Sequence, residues 1–130
     1  MQLESTLPLE LEILIQKVIG ASIEVHRHLG PGFLETIYEQ ALCFELEQRG
    51  IAYVRQKEIA IPYKTTKLTG QRFDLFIEGV LIIELKAVEM LLPIHEAQIM
   101  SYLKALHLRA GLLMNFNVKM LKSGIKRIVF

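Results

Sequence analysis

Hydrophobic positions recur along this chain first with a helical period and then with a strand period. Between residues 9 and 29, Leu11, Ile15, Val18, Ser22, Val25 and Leu29 share a stripe, with Glu10, Glu12, Lys17, Glu24 and Arg27 mostly off it. That spacing predicts an amphipathic helix. Gly30-Pro31-Gly32 ends it, because proline cannot continue a helix and glycine suits the turn beyond it. A second helix is predicted over 33–49, closed by Gly50, with Phe33, Leu34, Ile37, Tyr38, Ala41, Leu42, Phe44 and Leu46 as its apolar positions. Residues 54–63 then alternate loosely, with Val54, Ile59 and Ile61 inward and Pro62 marking an edge or a strand end. Residues 64–70 read as a hairpin connection, 72–77 as a second strand, Glu78-Gly79 as a tight turn and 80–88 as a third strand. Pro93 opens a helix running to about 108, with Ala97, Met100, Leu103, Ala105 and Leu106 toward the core. A buried strand over 110–116, a loop over 117–124 and a last strand over 125–130 complete the chain, and residues 1–8 read as a loose start.

The stretch 80–88, Val-Leu-Ile-Ile-Glu-Leu-Lys-Ala-Val, organises the rest. It is short, continuous and rich in branched apolar residues, as a strand buried on both faces is. Alternation puts Val80, Ile82, Glu84 and Lys86 on one face and Leu81, Ile83, Leu85 and Ala87 on the other. An isolated buried charge costs several kcal/mol, so a carboxylate and an ammonium set here call for a use. Asp74 is a third such charge, on the neighbouring strand beside Arg72 and Phe76, and the short turn can bring it to the same end of the sheet as Glu84.

Composition narrows the choice. A chain of 130 residues forms one domain, 1–130, with a full core. Its 52% hydrophobic content is on the apolar side for such a domain and favours a covering partner, a second copy forming a homodimer. A net charge of +1 gives no global attraction to nucleic acid, so any basic surface has to be local. Cys43 is the only cysteine, which excludes an internal disulfide and a thiolate metal site, and its apolar neighbours Leu42 and Phe44 mark it as a buried small residue. No signal peptide and no membrane-length apolar run are seen, and a reduced cytoplasmic setting is expected.

The chemistry of the charged set is legible. Two carboxylates at one sheet end can hold Mg²⁺ or Mn²⁺, hard cations that take oxygen ligands. A lysine two residues on supplies a compact positive charge for a water or a phosphate. A helical carboxylate would complete the site, and Glu35 is the candidate, although a first-turn glutamate also serves simply to offset the helix dipole. Glu35, Tyr38 and Glu39 share a side of their helix, as do Gln98 and Tyr102 of the later one, with His95 a turn earlier. An Asp…Glu-x-Lys spacing arises often by chance, and a Glu–Lys pair in a strand is commonly a salt bridge; the apolar setting of all three residues favours chemistry. His26 and His28 lie too far around their helix to share an ion, so a zinc site is not expected, and His26 reads as a packed residue at the helix end. Phosphate-loop, dinucleotide and serine-hydrolase motifs are missing from the sequence.

Gly32-Phe33-Leu34-Glu35-Thr36-Ile37-Tyr38 matches a G-x-x-E-x-x-Y signature. Together with the segments His26–Glu35, Arg72-Phe73-Asp74-Leu75, Ile83-Glu84-Leu85-Lys86-Ala87, His95-Glu96-Ala97-Gln98 and Asn115-Phe116-Asn117-Val118, it resembles the GxxExxY protein family, grouped with the PD-(D/E)XK nuclease superfamily. The similarity spans about 11–129. It implies an α/β fold with a restriction-endonuclease-like core, a central mixed sheet (a meander plus a parallel strand) flanked by helices. It implies Asp74, Glu84 and Glu35 as ligands of Mg²⁺ or Mn²⁺, and these three together with Lys86 and Gln98 as the catalytic residues. Gln98 and Tyr102 resemble the Q-x-x-x-Y element of several such nucleases. Phe73 stands where the superfamily's name has proline. The expected function is metal-dependent hydrolysis of nucleic-acid phosphodiesters, with Arg72, Tyr102, His95 and Tyr38 as substrate contacts. The alternative is a non-catalytic module on the same fold, binding nucleic acid or protein.

Overall fold

In the computed structural model residues 6–130 are described; the loose start expected over 1–8 falls largely on residues outside them. Helix α1 (Leu9–Leu29) and helix α2 (Glu35–Gln48) precede a meander of β1 (Tyr53–Tyr63), β2 (Thr66–Ile77) and β3 (Leu81–Lys86). Helix α3 (Pro93–Leu106), β4 (Ala110–Asn115), a short 3-10 turn (Leu121–Gly124) and β5 (Ile125–Val129) follow. The five strands form one sheet in chain order. β3 and β4 are parallel, joined through α3, and the other neighbours are antiparallel. An antiparallel pair closes with a tight turn, whereas a parallel pair needs a long crossover. Glu78 and Gly79, with φ of 53° and 70°, make the tight turn between β2 and β3; such a turn needs the left-handed region at both positions, which glycine adopts freely.

The alternation of β3 sorts two cores onto the faces of the sheet. Leu81, Ile83 and Leu85 meet the buried stripe of α1 (Leu11, Ile15, Val18, Ala21, Val25) and that of α2 (Tyr38, Leu42, Cys43, Leu46). Ile82 faces the other way, with Phe73 and Leu113, toward Ile99, Tyr102 and Leu103 of α3. Glu84 therefore lies on the α3 side of a strand that is apolar on both faces. Cys43 is buried, and burial pushes its thiol pKa up. His26 is buried at the end of α1, where its Nε2 donates to the Val118 carbonyl at 2.8 Å.

Several expectations are corrected. The hairpin connection is only Lys64-Thr65, and β2 begins at Thr66. Gly70, with φ of 104°, carries an extra residue of β2 across from Ala60, so the ladder continues through a bulge instead of ending there. Val54 points outward: β1 is an edge strand, and its neighbour Tyr53 takes the helix-facing side. Phe33 and Leu34 precede α2, and Phe44 lies on its far side from the buried Tyr38-Leu42-Leu46 stripe, so these three apolar residues are exposed. Ala97 is exposed as well. Among the described residues no helix is long and apolar enough to cross a membrane.

Candidate functional site

The site forms where two strands stop pairing. The β2–β3 ladder runs through Ile77↔Leu81, Phe76↔Ile82 and Leu75↔Ile83 and goes no further. At the next position the side chains of Asp74 and Glu84 replace the missing ladder bonds. The Asp74 N–H donates to Glu84 Oε1 at 2.9 Å, and the Leu85 N–H donates to Asp74 Oδ2 at 2.8 Å. Each carboxylate thus caps the opposite strand, and the pair marks the opening of the sheet.

Burial sets the electrostatics of the pair. Glu84 is 7% exposed, and loss of solvent, together with the nearby Asp74 charge, pushes its pKa up to about 7; the Lys86 ammonium opposes the rise. Asp74 is raised too, by burial first and then by the charges of Glu39 and Glu35, while the Leu85 N–H and the Gln56 amide pull it down. Carboxylates that are desolvated and repel one another in this way are favourably placed to gain from a bound cation. Their donors are oxygens only, the chemistry a hard divalent cation takes, and Mg²⁺ in particular is commonly held by one or two carboxylates plus waters. The residues present therefore fit such an ion at Asp74 and Glu84. Among the described residues, no three carboxylate, imidazole or thiol groups stand together as a ready ligand set.

Helix α2 brings its first turn to this opening. Glu35 Oε1 accepts the Ala87 N–H at 3.3 Å, just beyond the end of β3. Glu35, Glu39, Gln56, Asp74 and Leu85 line a cleft of about 210 Å³. Glu39, one turn after Glu35, is the residue the sequence reading missed as part of the site. It is buried, its Oε2 accepts Arg55 Nη2 at 2.8 Å, and its Oε1 accepts Gln56 Nε2 at 2.7 Å. The signal was present as a carboxylate at i+4 from Glu35 on the face that also carries Tyr38. Gln56 bridges Glu39 to Asp74 Oδ1, the latter at 3.3 Å, and does so from φ of 50°, a strained setting for a residue other than glycine.

A model describing the PD-(D/E)XK nuclease superfamily matches residues 12–128. The chain belongs to the PD-(D/E)XK nuclease superfamily. Neither the curated proteins nor the solved structures provide a match. The mixed five-stranded sheet between helices is consistent with the restriction-endonuclease-like fold of that superfamily.

Within this superfamily framework the predicted residues separate into two groups, with Arg72 and Tyr38 outside both. Asp74 and Glu84 meet through their strand-capping hydrogen bonds, Glu35 shares a cleft with Asp74 but does not join the pair as a third ligand, and Lys86, at the end of β3, is close enough to stabilise the charge of Glu84. Lys86 is held in place from β4: its carbonyl accepts the Phe116 N–H at 2.8 Å, and the buried Asn115 clasps Val88 through both its N–H and its carbonyl, at 3.0 and 2.9 Å. The second group, His95, Gln98 and Tyr102, lines a separate cleft of about 610 Å³ with Gln71. Tyr102 is buried and hydrogen-bonded to Gln71 and Gln98; burial raises its pKa, and the Glu84 and Asp74 charges add to the rise. His95 Nδ1 accepts the Leu92 N–H at 3.0 Å, so one ring nitrogen serves as a helix cap. Arg72 is exposed, across the ladder from Glu58.

Tyr38 stands apart from the others. It is fully buried and stacked on Phe116, with ring centroids 4.6 Å apart. Its hydroxyl donates to the Gly30 carbonyl at 2.6 Å and accepts the Phe33 N–H at 3.2 Å. With both functions used inside the protein, Tyr38 fixes the loop that leads into Glu35 and is not placed to touch a substrate. Tyr38→Phe keeps the stack and removes both hydrogen bonds, so it is expected to cost about 1–2 kcal/mol of stability, read as a lower urea midpoint with an unchanged slope.

Proposed function

We propose that this protein is a divalent-metal-dependent nuclease that hydrolyses phosphodiester bonds of nucleic acid, using Mg²⁺ or Mn²⁺. The observation that carries the reading is the pair formed by the half-buried Asp74 and the buried Glu84, both raised in pKa at the opening of the sheet, with Lys86 two residues on from Glu84. Members of this superfamily typically use divalent metals. The oxygens of Asp74 and Glu84 would hold the ion. When bound there, a divalent cation lowers the pKa of a coordinated water and neutralises charge building on a phosphoryl oxygen. Lys86 would orient the attacking water or bear on the phosphate as a point charge. Glu35 would stand at the mouth of the cleft, where its carboxylate can accept a proton or hold a metal-bound water. Gln56 and Asn115 are positioning residues: the first spaces Glu39 from Asp74, and the second anchors the segment after Lys86.

The Gly32-x-x-Glu35-x-x-Tyr38 signature supports placing the chain in the GxxExxY group of the superfamily. The geometry gives that signature a physical sense, since Tyr38 pins the loop and thereby sets where Glu35 emerges. The test is cleavage of plasmid, single-stranded DNA and RNA with Mg²⁺ or Mn²⁺, by the wild type and by Lys86→Ala. The wild type should cut at least one substrate and lose that activity in EDTA, and Lys86→Ala should retain ion binding by calorimetry while losing cleavage. No cleavage of any substrate with either ion, together with no ion binding, would leave the non-catalytic binding module as the reading.

A further inference from the structure

The chain as a whole is nearly neutral, yet its β1–β2 hairpin is not. Between Lys57 and Arg72 lie four cations (Lys57, Lys64, Lys67, Arg72) and one anion (Glu58), a net of +3. With a whole-chain charge of +1, the remaining residues carry −2. From Ala60 to Arg72 every residue is exposed except Ile61, which is half-buried and packs on the α3-side core. Both faces of this ribbon are therefore in solvent over most of its length, and nothing in the fold of the body requires it. A two-stranded ribbon standing alone is marginal in water, so an arm of this length, tied to the body only near its base through Ile61 and the Gln71–Tyr102 hydrogen bond, calls for a further role.

Its tip presents two cations, Lys64 and Lys67, to solvent, as contact with a polyanion requires. Lys64 sits in the two-residue connection at φ of 53°, a conformation that favours glycine or asparagine, so a lysine is kept there against backbone preference. The Lys64 ammonium lies 5.5 Å from the centroid of the half-exposed Tyr63 ring. Lys67 pairs across the ladder with Pro62, which cannot donate from the edge of the sheet. The bulge at Gly70 twists the tip relative to the body. Lys67 is seven residues from Asp74 along one strand, at most about 23 Å, or roughly seven base pairs of duplex.

We propose that this hairpin is an arm that enters the major groove of duplex DNA and tracks its phosphates on either side, holding the duplex so that the backbone passes the Asp74–Glu84 opening. A two-stranded ribbon fits the major groove of B-form DNA, about 12 Å wide, whereas the A-form groove of RNA is too deep and narrow to admit it. The proposal rests on the nuclease reading for the meaning of the opening, but the arm's binding needs no catalysis. It is therefore measured in EDTA, by fluorescence anisotropy, with a labelled DNA duplex, an RNA duplex of the same sequence and the single DNA strand.

Lys64→Asn and Lys67→Gln are made singly and together in the full chain. The double variant is expected to bind the DNA duplex about tenfold more weakly at moderate salt, and the slope of log affinity against log salt should fall by about two. The wild type should prefer the DNA duplex to the RNA duplex and to the single strand by at least about fivefold. Lys64→Asn removes the charge but suits the left-handed position, so its urea midpoint should equal or exceed that of the wild type while its affinity falls. A loss of binding with a gain of stability separates contact from misfolding. The proposal is overturned if the double variant binds the DNA duplex as the wild type does, with the same salt slope, or if the three nucleic acids bind equally well. An absence of cleavage with Mg²⁺ alongside intact arm-dependent binding would instead count against the nuclease reading alone.

Discussion

Glu84→Gln is expected to abolish metal-dependent cleavage, by on the order of 10³-fold, while making the metal-free protein more stable at pH 8. The two effects have one cause. Glu84 is 7% exposed, and its pKa is raised to about 7 by burial and then by Asp74. At pH 8 the protein must therefore keep a carboxylate ionised in a setting that disfavours the charge. Glutamine has nearly the same shape, and its amide oxygen can still accept the Asp74 N–H that Glu84 accepts at 2.9 Å. The substitution removes the buried charge and keeps the cap between the strands. A rise of at most about 3 kcal/mol is expected in unfolding free energy at pH 8 in EDTA, shrinking toward zero near pH 4.5. The loss of activity follows because the amide is a poor ligand for a hard cation and leaves Asp74 as the one carboxylate of the pair. Urea unfolding of both proteins in EDTA, beside a cleavage assay in Mg²⁺, measures the two effects. A variant that is inactive and clearly less stable at pH 8 would mean that Glu84 serves the packing of β2 on β3 and stores no charge for the reaction.

The metal-free wild type is expected to lose stability as pH rises from about 5 to 8, the reverse of an ordinary carboxylate. For Glu84 the folded pKa of about 7 lies above the unfolded value of 4.5. Between those two values the folded protein binds more protons than the unfolded chain, so unfolding free energy falls with rising pH. The fall begins near pH 4.5 and is complete above pH 7. Asp74, raised by burial as well, acts in the same direction. A divalent ion reverses the sign, because it binds the ionised pair and competes with protons. At 100 times its dissociation constant it adds about 3 kcal/mol. Mg²⁺ should therefore raise the melting temperature at pH 8 and have little effect at pH 5, where protons occupy the site. Melting curves at the two pH values, with EDTA or with Mg²⁺, give four measurements. Equal Mg²⁺ stabilisation at both pH values would place the ion away from Asp74 and Glu84.

Much of this molecule was legible before any coordinates. Helix α1 spans the residues its hydrophobic stripe marks, because a 3.6-residue period admits one interpretation over six turns. β3 divides as alternation requires, with Leu81, Ile83 and Leu85 on one core and Ile82 on the other. Misreadings fall where local pattern is a poor guide to packing. Residues 66–70 look like part of a connection because threonine, lysine and glycine are common in turns. Cross-strand pairing through a glycine bulge nevertheless makes them part of β2. Phe33, Leu34 and Phe44 look like core because they are apolar, but a helix buries only the stripe its neighbour covers.

The sequence by itself determined that Asp74, Glu84 and Lys86 are charges set in apolar strands, and that the short Glu78-Gly79 turn brings the first two toward each other. Only the tertiary structure decided what surrounds them. The end of the β2–β3 ladder turns two carboxylates into caps on each other's strands. Docking of α2 on the sheet brings Glu35 and Glu39 to the same cleft as Asp74 and the strained Gln56 of β1. Burial of Tyr38 against Phe116 and Gly30 converts an apparent substrate contact into a loop anchor. Period and turn chemistry are local and written in neighbouring residues. The desolvation of a side chain depends on residues distant in sequence, such as Glu39 and Asp74, which meet only once the sheet and its helices have closed.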